Sequence, residues 1–82
     1  MKTGFKWTKP YFGLTHLKFD DPEQKRWAIS IQKRGELFQL TLHDRRSDHP
    51  FTAVKDIWGS EADLKATAEE WASRILSGLM PV

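Results

Sequence analysis

Large apolar side chains alternate with small or polar ones on both sides of Gly35, and this pattern restricts the fold more than any other feature. Residues 26–33 and 36–44 are therefore predicted to be β-strands, because successive side chains of a strand point to opposite faces. Gly35 supplies the positive φ that a two-residue hairpin loop needs, so the loop is predicted at Arg34-Gly35. The pattern predicts a β-hairpin.

The position of the loop also predicts the register of this hairpin. With Arg34-Gly35 at the centre, Ile29 faces Leu40, and the other large apolar residues of the two strands face one another in the same way. Directly opposite residues share a face of the sheet. The register therefore collects the large apolar side chains on one face and the small or polar ones on the other.

A further strand is predicted before the hairpin, over residues 13–20. Folding the chain back through the turn-rich segment that follows places Leu17 opposite Ile29 and Asp20 opposite Arg26. Three strands in meander order then share one apolar face. Its members are Leu17, Phe19, Trp27, Ile29, Ile31, Phe38, Leu40 and Leu42.

The C-terminal segment is predicted to be a helix over residues 61–77. Ser60 is a good N-cap, and acidic residues in the first turn complement the helix dipole. Gly78 stands where a helix ends, since glycine readily adopts the positive φ that follows a C-cap. Apolar residues recur at helical spacing and form the stripe Leu64, Ala68, Trp71, Ala72, Ile75 and Leu79. This stripe is expected to cover the apolar face of the sheet.

The predicted fold class is α+β: a three- or four-stranded antiparallel meander sheet with one C-terminal helix packed on one face. A chain of 82 residues has room for one core, so residues 1–82 are expected to form a single domain. Residues 2–10 and 51–58 leave the strand count open, because each segment either adds a strand or runs as an extended connection. Residues 43–50 are predicted to be a polar loop.

Composition excludes several classes of protein. The chain has no cysteine, which excludes a disulfide scaffold and a thiolate zinc site. No apolar run approaches the ~20 residues of a membrane span, and the first ten residues lack the apolar core of a secretory signal. We therefore expect a cytoplasmic protein with no membrane partner. The net charge of +2 is a smaller basic surplus than dedicated DNA-binding proteins usually carry.

The sequence contains no recognisable catalytic or cofactor motif. The histidines His16, His43 and His49 lack the i,i+4 spacing of a helical zinc site, so surface histidines are the favoured interpretation. Neither a nucleophile elbow nor a glycine-rich phosphate loop is present. We expect no enzymatic activity, no metal and no cofactor.

One face of the predicted sheet is expected to stay open, because a single helix covers only one face. That face carries His16, Lys18, Ala28, Ser30, Gln32, Leu37, Gln39 and Thr41. A second set of basic residues lies in or beside turns, namely Lys25, Arg26, Lys33, Arg34, Arg45 and Arg46. The candidate binding residues drawn from the two sets are Lys18, Ser30, Gln32, Lys33, Arg34, Gln39, Thr41, Arg45 and Arg46.

The preferred hypothesis is a small binding module, a monomer or homodimer, that docks onto a protein partner. A hydrogen-bond-rich face with little charge and open sheet edges favour such docking. In size, absence of cysteine and tryptophan content, the chain resembles small phage or mobile-element proteins that inhibit or adapt a host machine, including anti-CRISPR inhibitors.

The alternative hypothesis is nucleic-acid binding. A three-stranded meander followed by one helix resembles, in organisation, the sheet-type DNA-binding modules of AP2-like and integrase arm-binding domains. That resemblance implies an open sheet face in the major groove, with Lys33, Arg34, Arg45 and Arg46 contacting phosphates around it.

Overall fold

A computed structural model describes residues 4–46 and 53–81 of the chain. Its elements are β1 (Phe5–Tyr11), β2 (Leu14–Phe19), β3 (Trp27–Arg34), β4 (Leu37–Asp44), β5 (Ala53–Gly59) and α1 (Glu61–Leu76). The strands form one antiparallel sheet in the order β1-β2-β3-β4-β5, and α1 packs on one face of it. The α+β class is confirmed, but the sheet has five strands rather than three or four.

The two additional strands are the segments whose structure the sequence left open. Trp7 of β1 lies opposite Leu17, and Ile57 of β5 lies opposite Leu40. Phe5, Trp7 and Ile57 are partly buried against the core, so both edge strands contribute apolar side chains to the face under α1. This burial explains why both segments pair as strands, although residues 51–58 alternate poorly in sequence. Residues 2, 3, 51 and 52 of the same segments lie outside the described residues.

The register between β2 and β3 agrees with the sequence prediction, since Leu17 lies opposite Ile29. In the β3–β4 hairpin the predicted register is wrong by two residues, because Ile29 lies opposite Leu42 rather than Leu40. A shift of two keeps every side chain on its own face. The predicted apolar face is therefore confirmed: its members are buried, apart from the partly buried Phe38.

The hairpin loop is Gly35-Glu36 rather than Arg34-Gly35, because Arg34 still pairs with Leu37. Gly35 has a φ of +68°, and no described non-glycine residue has a positive φ. A positive φ at the first loop residue alone is the arrangement of a type II′ turn, which takes glycine at that position. The glycine thus fixes the loop one residue later than predicted, and this moves the register.

The helix begins and ends as its sequence predicts. The Ser60 hydroxyl accepts a hydrogen bond from the Asp63 amide at 3.3 Å, which caps the first turn. At the other end, the Leu79 amide donates to the Arg74 carbonyl (2.8 Å) and the Gly78 amide to the Ile75 carbonyl (3.0 Å), which is a Schellman motif. Gly78 has the required φ of +79°.

The buried stripe of α1 consists of Leu64, Ala68, Trp71, Ala72 and Ile75. It packs on the apolar face formed by β2, β3 and β4, and the fully buried Leu40 and Leu42 lie at the centre of this core. Leu79 was expected to extend the stripe, but Leu79 is 57% exposed because the helix ends at Leu76. The core lies between two layers, so the opposite face of the sheet has no helix against it.

An ion pair connects the β2–β3 loop to the end of β4. Arg26 binds Asp44 through Nε–Oδ1 (3.1 Å) and Nη2–Oδ2 (3.0 Å), a contact that the sequence analysis did not predict. Strand β4 extends through Asp44, as predicted for the strand over residues 36–44, so the loop predicted over residues 43–50 does not begin at His43. Residues 47–50 of that predicted loop lie outside the described residues.

Candidate binding surface

Rows of side chains cross the open face of the sheet, the face turned away from α1. The row nearest the two tight turns joins all five strands, and we call it the aromatic row. It consists of Tyr11, Leu14, Gln32, Gln39 and Trp58, each opposite the next. The second row consists of Thr8, His16, Ser30, Thr41 and Asp56.

The aromatic row exposes large side chains at both of its ends. Tyr11 is 66% exposed and Trp58 is 53% exposed. Leu37, which precedes Gln39 by two positions on the same face of β4, is 51% exposed. Each of these exposed side chains leaves apolar area in water, which a partner that covers the surface would remove.

Arg34 holds the middle of the aromatic row in place. Its Nε donates to the side-chain oxygen of Gln39 at 3.2 Å, and its Nη2 donates to that of Gln32 at 2.5 Å. Arg34 lies at the end of β3 on the open face and not in the turn where it was predicted. The guanidinium therefore orders two amide side chains between the exposed rings.

The hydroxyl groups at the centre of the second row are only partly available to a partner. The hydroxyls of Ser30 and Thr41 lie 2.8 Å apart and hydrogen-bond each other across the β3–β4 pair. Both residues are half-buried. Ser30 and Thr41 were candidate binding residues, and the structure places them on the open face with their polar groups satisfied internally.

A groove of about 650 Å³ occupies the open face toward the loop between β2 and β3, and we call it the basic groove. Ala28 and Ser30 of the central strand line it, and their small side chains leave the space that larger residues would fill. Around them stand Thr8, Pro10, His16, Lys18, Asp21, Lys25, His43 and Arg45. Three cations therefore line this groove with one carboxylate.

The loops at this end fix the position of Arg45. The Arg45 amide donates to the Arg26 carbonyl at 2.7 Å, and the Arg45 guanidinium donates to the Lys25 carbonyl at 3.4 Å. Asp21, the carboxylate in the groove lining, accepts a hydrogen bond from the Glu23 amide at 2.9 Å. Among the described residues, the ion pairs are Arg26–Asp44 and Lys65–Glu61, so no cation of the groove is neutralised by a carboxylate there.

Two of the nine predicted binding residues lie away from the open face or beyond its strands. Lys33 lies opposite Phe38 on the α1 side of the sheet, with its Nζ 5.6 Å from the centre of the exposed Phe12 ring. Arg46 follows β4, and its amide donates to Asp44 Oδ1 at 3.0 Å. The remaining seven lie on the open face or, for Arg45, beside it.

A smaller recess of about 400 Å³ opens on the other side of the β1–β2 turn, between Phe12 and the start of α1. Phe38 and Thr15 line it, and Lys9, Lys33 and Glu61 border it. Phe12 is 92% exposed and does not close the recess.

The two edge strands contribute side chains to the open face that were not among the predicted binding residues. Lys6 lies directly opposite Lys18, and Tyr11 and Trp58 end the aromatic row. Alternation of Phe5 and Trp7 with Lys6 was visible in the sequence, and it would have assigned Lys6 to the same face as Lys18. Trp58 had no such signal, because Ile57 and Trp58 are adjacent large apolar residues and the sequence does not show which of the two is buried.

Neither a metal centre nor a membrane-crossing helix is found in the parts of the chain that the structure describes. No three His, Asp or Glu side chains converge there as a potential metal site, and His49 lies outside those parts. The helix α1 is too short and too polar to cross a bilayer.

Comparison with known proteins returns no relative. No protein family, no curated protein and no solved structure matches the chain. The geometry of the open face is therefore the feature that indicates a function.

Proposed function

We propose that this protein is a non-enzymatic module that docks onto a protein partner through its open sheet face. The observation that carries the proposal is the aromatic row, with Tyr11 and Trp58 exposed on either side of two glutamines held by Arg34. Tryptophan, tyrosine and arginine are the residue types that dominate the energetics of protein interfaces. A partner that covers the aromatic row removes these rings from water. The two glutamines at the centre of the row are already held by Arg34, so binding does not have to order them.

Docking through the face is favoured over strand addition at the β1 edge. Pro10 has no amide proton to donate to an added strand, and the register of β1 shifts between Thr8 and Tyr11. Proline and bulges of this kind protect edge strands from pairing. The resemblance to phage-encoded inhibitors concerns size and composition alone, and it stays a prediction.

Insertion of the sheet into a DNA major groove has less support. Five strands span four interstrand spacings, or about 19 Å. A major groove is only about 12 Å wide, so it admits a narrower ribbon than this. The breadth of the sheet therefore argues against the binding mode that the three-stranded resemblance implied.

Site-specific photocrosslinking tests the proposal. A photoreactive phenylalanine analogue replaces Trp58 in one sample and Glu69, an exposed residue of α1, in a matched control. We expect irradiation in cells to attach one protein species to the position-58 sample and not to the position-69 sample. Adding Tyr11→Ser to the position-58 sample is expected to remove the adduct, whereas Leu79→Ser, at an exposed site outside the sheet, is expected to leave it.

Two results would contradict protein docking by this face. One is the same set of weak adducts from both labelled positions, which indicates random collisions. The other is an adduct with twice the mass of the chain, which indicates that a second copy covers the aromatic row.

A further inference from the structure

We infer that the basic groove binds the backbone of single-stranded nucleic acid, at a site separate from the aromatic row. This inference does not depend on the protein-docking proposal, because it concerns the opposite end of the open face. It implies that the module can hold a nucleic-acid strand and a protein at the same time.

The first argument is the placement of unneutralised positive charge. Lys6 and Lys18 lie directly opposite each other on the open face, and like charges in that arrangement destabilise a sheet. Lys25 and Arg45 add two cations from the loops at the same end. None of the four pairs with a carboxylate in the described part of the chain. An anion between them relieves the repulsion.

The second argument is the shape of the groove. Its lining runs from Thr8 on β1 to His43 on β4, which is three interstrand spacings or about 14 Å. The small side chains of Ala28 and Ser30 lie between, so the lowest part of the surface is at the central strand. A groove of this breadth with cations on its loop side can hold a single strand with its phosphates toward the lysines.

The third argument is the chemistry available for bases. His16 and His43 lie in the groove lining on the two sides of β3, and flat imidazole rings are surfaces on which unpaired bases stack. Gln24 is the one amide side chain among the described residues of the groove lining, since Gln32 and Gln39 are held by Arg34 in the aromatic row. Binding is therefore expected to depend on the phosphates and to show little sequence preference.

The test measures binding of a fluorescent oligothymidylate of about 12 nucleotides, within the site size of roughly 4–16 nucleotides for one small domain. With up to four phosphate contacts, log K is expected to fall with log salt at a slope of about −2.8, at roughly 0.7 per contact. The double variant Lys18→Ala/Lys25→Ala is expected to bind at least tenfold more weakly at about 50 mM salt and to lower the slope to about −1.4.

Lys55→Ala serves as the control, because Lys55 is exposed on the α1 side of the sheet. This substitution removes the same charge as Lys18→Ala and leaves the groove unchanged. It is compared with Lys18→Ala alone, and only Lys18→Ala is expected to weaken binding. Thermal unfolding of each variant shows that the fold is intact.

Three results would overturn the inference. The first is no measurable binding of the oligonucleotide at low salt. The second is an equal loss in Lys18→Ala and Lys55→Ala, which indicates that only net charge matters. The third is tighter binding of the matching duplex than of the single strand, which excludes the groove as a single-strand channel. Each of these results leaves the crosslinking test of the aromatic row unaffected.

Discussion

At the scale of single residues, the Arg26–Asp44 pair connects the β2–β3 loop to the end of β4. Asp44 is only 8% exposed. Its carboxylate accepts two hydrogen bonds from the Arg26 guanidinium and one from the Arg46 amide. The hydrogen bonds from Arg26 hold the pKa of the Asp44 carboxyl below its ordinary value, and the Arg46 amide acts in the same direction. The Arg26 guanidinium also lies 4.7 Å from the centre of the Trp27 ring, which orients it.

Asp44 should therefore make folding sensitive to acid. Because its pKa is lower in the folded than in the unfolded chain, the unfolded chain binds more protons as the pH falls from about 5, and the free energy of unfolding decreases. Asp44→Asn is expected to be less stable than the parent at pH 7, with a difference that shrinks toward acid pH. Urea unfolding across this pH range measures the effect, and Arg26→Gln should flatten the parent curve. Parallel curves for parent and Asp44→Asn would exclude this role.

At the scale of elements, the β3–β4 hairpin depends on the backbone conformation of Gly35. No atom lies within 4 Å of a Cβ added there, so any cost of Gly35→Ala comes from the positive φ and not from crowding. We expect Gly35→Ala to lower the free energy of unfolding by about 1–2 kcal/mol. The synthetic chain with D-alanine at position 35 should be at least as stable as the parent, because a D-residue favours positive φ. Equal destabilisation by both enantiomers would show that another feature fixes the loop.

The same hairpin shows how much of the fold a single sequence can predict. Side-chain alternation has a period of two, so it assigned Ile29 and Leu42 to the buried face even though their register was wrong by two residues. The position of Gly35 within the loop was not determined by alternation, and the loop sets the register. The helix was predicted more accurately, because Ser60 and Gly78 mark its ends by local chemistry.

The candidate surface was predicted less completely than the core. The open face follows from the alternation of the three central strands, and the structure places Lys18, Gln32 and Gln39 on it. Its most exposed side chains come from the edges, where pairing depends on contacts distant in sequence. For example, Trp58 reaches the face only because Leu40 pairs with Ile57.

At the scale of the whole molecule, the sheet and α1 form two layers that meet at one core, and the two faces of the sheet differ in chemistry. The face of the sheet under α1 is apolar throughout its centre, whereas the opposite face has exposed rings at one end and cations at the other. About 20 Å of β4 separates Leu37 from His43 along this face. That separation allows two ligands to contact the sheet without competing for the same side chains.

Both proposed binding regions depend on a stable core beneath the sheet, and Trp71 is the largest side chain that α1 contributes to that core. Trp71 is only 5% exposed and belongs to the hydrophobic core. Trp71→Ala should cost about 3–5 kcal/mol through the cavity it leaves. A domain of 82 residues is stabilised by only about 4–12 kcal/mol, so the variant should lose a large part of its stability and melt roughly 12–40 °C lower, at about 4–8 °C per kcal/mol. Thermal unfolding followed by circular dichroism measures the loss, with Leu79→Ala, at an exposed residue, as the control. If both variants melted at the temperature of the parent, the helix would not be holding the sheet, and the open face could not owe its shape to the core beneath it.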